Sequence, residues 1–76
     1  MNNNEISQIA DKYILQFIKD IDCQGNDEIE RAIEVLIVKS AKALEVATDD
    51  LDRAVNVCGR AAGIVRDNPL PFSNIK

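Results

Sequence analysis

At 100° per residue, Ile6, Ile9, Ala10, Tyr13, Ile14, Phe17, Ile18 and Ile21 fill one half of a helical wheel. A strand would instead bury every second residue, so this period sets the first third of the chain as an amphipathic helix. Asn3 or Asn4 is its expected N-cap, and Gly25 is expected to close it after Asp22 through the left-handed conformation that glycine enters without steric cost. Tyr13 and Phe17 are the expected aromatic core. Leu15 falls outside the apolar arc, among Asp11, Lys19 and Asp22, and is expected at the surface.

A second helix opens at Asp27-Glu28-Ile29-Glu30, where Asp27 can cap the backbone and Glu30 can reach back in the capping-box manner. Asp27 also precedes Arg31 by four residues, the favourable order for a helical ion pair. Its broad stripe is Ile29, Ala32, Ile33, Leu36, Ile37, Ala43, Leu44 and Ala47, while Val35, Val38 and Val46 lie beyond the stripe's edge. A third helix follows almost without a linker, with Thr48 or Asp49 as the cap and Asn68-Pro69 as the stop. Leu51, Ala54, Val55, Val57, Cys58, Ala61, Ala62, Ile64 and Val65 form its apolar face. The remaining segment cannot be helical at Pro69 and Pro71, and its Leu70, Phe72 and Ile75 read as pegs on an extended strap.

The expected fold is therefore all-α: an antiparallel three-helix bundle with helices over roughly 4–22, 27–47 and 49–67, and an extended Pro-containing tail over 68–76. The full length of 76 residues and 8.4 kDa allows one small domain. Domains of that size remove only about 60–65% of the unfolded chain's surface on folding and are marginally stable without help. Hydrophobic residues at 46% and charged residues at 29% fit a chain that folds in water, and the longest apolar run, Val35 to Val38, is far too short to span a bilayer.

Chemistry is narrowed mainly by one absence. There is no histidine, which removes the commonest general base, the commonest zinc ligand and every Ser-His or Cys-His nucleophile pair. Cys23 ends the first helix and Cys58 lies midway along the third, about 13 Å from its near end at 1.5 Å per residue, so both are expected as unbridged thiols, with Cys58 in the core. The string Asp20, Asp22, Gln24, Gly25 follows the opening of a calcium loop, but the position that must supply a bidentate carboxylate is Arg31. Acids around a turn are the simpler reading. Asp49, Asp50 and Asp52 crowd one helix start, where a cap and the helix dipole account for them. Size and acidity match those of acyl carrier domains, but the serine that accepts their prosthetic arm at a helix start is missing: that place reads Thr48-Asp49-Asp50-Leu51. No cofactor and no metal are expected.

Nine Lys and Arg against thirteen Asp and Glu give a net charge of −4. Charges of +2/−5 over 1–27, +3/−4 over 28–47 and +4/−4 over 48–76 leave no basic segment for a phosphate backbone. The expected function is thus non-catalytic: a small protein that binds another protein, itself or both, as a subunit, adaptor or inhibitor. Arg53, Asn56 and Arg60 line one ridge of the third helix, beside the Gly59 and Gly63 pair that would let another segment approach closely, and these five are the expected partner-binding residues. Val35, Val38, Val46 and Phe72 are the expected oligomer interface of a homodimer. A DNA-associated regulator with a helix-turn-helix arrangement is the alternative. Met1 to Glu5 lack the basic and apolar stretches of a signal peptide, which leads to an expectation of a cytoplasmic protein away from membranes.

Overall fold

Helix ends determine where this chain turns, and most of them are set by aspartate or asparagine. The computed structural model describes residues 1–22 and 24–67. Three helices account for nearly all of these: α1 (Asn3–Ile21), α2 (Asn26–Thr48) and α3 (Leu51–Asp67). There is no strand among the described residues, and α1 contacts α2 while α2 contacts α3, so the chain is all-α with three helices, as expected. The expected strap over 68–76, with Leu70, Phe72 and Ile75, lies outside the described residues, as does Cys23.

The side chain of Asn2 accepts a hydrogen bond from the Glu5 amide at 2.9 Å, so the N-cap falls one residue before the expected asparagines. At the other end Asp22, with φ 57° and ψ 52°, takes the left-handed cap, and its N–H donates to the Ile18 and Lys19 carbonyls. Gly25 does not close α1. Its φ of 85° places it just ahead of α2, where its carbonyl accepts the Ile29 amide. The short connection needs two left-handed residues, and aspartate tolerates the first.

Because α2 starts at Asn26, two positions ahead of where an Asp27 cap would start it, the third helical position is Glu28 rather than Glu30. The Glu28 carboxylate accordingly accepts the Gln24 amide at 2.7 Å, and the expected Asp27–Glu30 box does not form. Nor does an Asp27–Arg31 pair; the ion pairs within the described helices include Lys42–Glu45, Arg53–Asp50 and Arg66–Asp67. Ser40 and Thr48 are tolerated within α2 because each hydroxyl donates to the carbonyl four residues back, at 2.7 Å in both cases.

Thr48 is therefore occupied inside α2 and caps nothing. Asp49 turns the chain with φ 52°, and Asp50 caps α3 by accepting the Arg53 amide at 3.0 Å. Replacing Asp50 with Ala should lower stability by about 1 kcal/mol, read as a fall in the thermal midpoint, whereas Asp49→Ala should leave the cap hydrogen bond intact.

Two compact units divide the chain, one running from Met1 to Ala32 and the other beginning at Ile33 and carrying the rest of α2 with α3. In the first unit the half-buried apolar residues are Ile14, Leu15, Phe17, Ile18, Ile29 and Ala32. Tyr13 is 71% exposed and is not a core residue, while Leu15, expected at the surface, is partly covered. A single packed neighbour covers a stripe rather than half a wheel, and here the stripe is centred on Ile18, which includes Leu15 and leaves Tyr13 outside.

In the second unit, Ala54 of α3 is the one buried side chain among all described residues, at 3% exposure. Around it Leu36, Ala41, Leu44 and Val57 are half-buried. Cys58 is an exposed thiol with no disulfide partner, a correction to its expected place in the core.

Candidate interaction surface

Alternating steps of four and three along α3 connect Leu51, Val55, Cys58, Ala62 and Val65, and all five are exposed. A second set, Ala54, Val57 and Ile64, lies toward the α2 side of the helix, where Ala54 is buried, Val57 half-buried and Ile64 still exposed. One helix face thus carries two adjacent apolar seams. The seam of five has the spacing with which one helix packs along another, and no neighbour from the described residues covers it.

Beside that seam, α2 contributes Ile37 and Val38, each more than half exposed, to an open apolar groove of about 200 Å³. Leu51, Val55 and Cys58 form its opposite wall, Ala41 and Ala54 its floor, and Lys42 and Glu45, ion-paired at 2.9 Å, its rim. The volume lies below the roughly 300–1,000 Å³ typical of small-molecule pockets. It suits a few aliphatic side chains entering from outside.

Of the expected interface valines, Val38 joins this groove. Val35 and Val46 are also exposed, Val46 at 81%, but they lie on a different line of α2, with Lys39 and Lys42 between them. Phe72 lies outside the described residues.

Arg53, Asn56 and Arg60 do come together, as the spacing requires, along an open cleft that Asp50 and Asp52 also line. Arg53 stands 3.6 Å from the Asp50 carboxylate. Although about 590 Å³ of space lies beside these five residues, all belong to α3 and its cap, so no second element encloses it. Two arginines against two aspartates leave the cleft neutral, which does not suit a phosphate backbone. At the far end of α3, Arg66 donates two hydrogen bonds to Asp67, at 3.0 and 3.1 Å, and that carboxylate holds its guanidinium above the ordinary range.

The expected close approach at Gly59 and Gly63 is not made within the described chain, since a Cβ built at either glycine meets nothing within 4 Å. Gly63→Ala should therefore raise the unfolding free energy by about 0.5–1 kcal/mol, the ordinary helix gain over glycine, measurable by denaturant titration. The acids of the calcium-like string serve helix ends and local hydrogen bonds: Asp22 caps α1, and Asp20 accepts from Gln16 at 2.7 Å. Among the described residues, no three His, Cys, Asp or Glu side chains are grouped to hold a metal ion, and no helix is long and apolar enough to cross a membrane.

Sequence reasoning placed Ile37, Leu51, Val55 and Cys58 in the core and so missed the groove. The signal was the width of the apolar arc on α3, which holds two seams where one neighbouring helix needs only one. No protein-family model matches the chain, and no curated protein or solved structure matches it.

Proposed function

We propose that this chain is a non-catalytic interaction protein that associates with itself, acting in the cytoplasm as a small helical subunit or regulator. The observation that carries this reading is the near absence of buried side chains. Among the described residues only Ala54 is buried, while Ile37, Val38, Leu51, Val55 and Val65 stand exposed on one helical pair. Contiguous apolar surface of that kind marks a protein interface, and a domain of this size has little stability to spare without one. The absence of histidine and of any buried polar side chain among the described residues supports a binding role over a catalytic one.

Folding coupled to association makes the thermal midpoint depend on concentration. The midpoint should rise by several degrees as the protein is taken from about 1 to 100 µM. A midpoint unchanged over that range would contradict self-association and turn the exposed surface toward a different protein.

A further inference from the structure

We infer that two copies of this chain pair through α3, antiparallel, along the seam Leu51, Val55, Cys58, Ala62 and Val65, with Asp52 of each copy beside Arg66 of the other. This deepens the reading of self-association and rests on it. The seam's length and spacing fit a helix rather than an irregular peptide. Its flanking residues identify that helix as a second α3.

Every seventh residue on one edge of the seam is Asp52, Gly59 and Arg66. Asp52 and Arg66 lie equally far from Gly59 (59 − 52 = 7 and 66 − 59 = 7), so a two-fold axis beside Gly59 brings opposite charges together twice. In a parallel pair the two Asp52–Arg66 edges would fall on opposite sides of the seam, so these charges would not meet. Asp52 pairs with no cation among the described residues, while Arg66 is largely exposed, with its only ion pair to its neighbour Asp67.

The centre of the arrangement has the small residue it needs. Gly59 would face Gly59 across the axis, and the space around each is open, with nothing within 4 Å of a built Cβ. On the apolar side, Cys58 meets Ala62 and Val55 meets Val65. Val65, 79% exposed, is the projecting side chain, and the groove walled by Val55, Leu51, Ile37 and Val38 is the recess that receives it from the second copy. Arg53, Asn56 and Arg60 lie on the outer side of α3 and remain accessible in the dimer.

Sedimentation equilibrium on the full chain and its Asp52→Lys, Arg66→Glu and doubly reversed variants tests the pairing. Each single reversal places like charges together twice, and should weaken the dimer about tenfold, with the double reversal restoring it to within about threefold of the parent. If Arg66→Glu disturbs the last turn of α3, crosslinking replaces it as readout. In a Cys23→Ser chain a short bis-maleimide should join Cys58 to Cys58, and Gly59→Leu should suppress the product. A dimeric parent indifferent to both reversals, or one with no Cys58 crosslink, overturns the α3 pairing and leaves self-association standing. A monomeric parent overturns both.

Discussion

Replacing Ala54 with Asp is expected to unfold the α2–α3 pair. Ala54 is the one buried side chain among the described residues, and it lines the groove that α2 and α3 share. A carboxylate there would lose its water with no cation seated to receive it, at a cost of several kcal/mol, against a total stability of about 5–15 kcal/mol for ordinary domains. Far-UV circular dichroism should show loss of most helical signal at 25 °C. Ala54→Ser, nearly isosteric and able to bond a carbonyl one turn back, should retain the fold with a modestly lower midpoint. Equal stability of the Asp variant and the parent would mean that α2 and α3 do not pack through Ala54.

The second large effect is expected at Val55 and Val65. Each is exposed in the single chain, Val65 at 79%, so Glu at either position costs the monomer little beyond helix propensity. In the dimer both are covered, and a carboxylate in that seam should weaken association by about 100-fold or more. Val55→Glu and Val65→Glu should therefore yield monomers by light scattering at concentrations where the parent is paired. Val46→Glu, equally conservative of the monomer and away from the seam, should leave the dimer intact. The contrast separates a general need for apolar surface from a specific interface.

Much of the fold was legible in the residues because helical periodicity is a property of each segment by itself. The three helices, the breaks near Gly25 and Asp49, and the residues of each apolar arc all follow from spacing. The caps were less legible, since several adjacent residues could serve each one. Asn2, Asn3 and Asn4 are all competent, as are Thr48, Asp49 and Asp50, and the choice among them depends on where the preceding turn releases the chain.

The candidate surface was legible in part, for a different reason. Arg53, Asn56 and Arg60 were placed correctly on one ridge, and Val38 on an exposed edge, because both follow from the wheel. Tyr13, Leu51, Val55 and Cys58 were misplaced because a wheel reports which residues are apolar and not how many neighbours are present to cover them. When a chain has fewer covering helices than apolar seams, the surplus seam becomes surface. On α3 the surplus is Leu51, Val55, Cys58, Ala62 and Val65, and the spacing of Asp52, Gly59 and Arg66 beside it is what gives that surface an orientation.

Sedimentation equilibrium of the unmodified chain at tens of micromolar tests the central claim most directly. Self-association through α3 predicts a mass of twice 8.4 kDa, falling toward 8.4 kDa on dilution. A single species of 8.4 kDa at every concentration, with helical content and thermal midpoint unchanged, would contradict it.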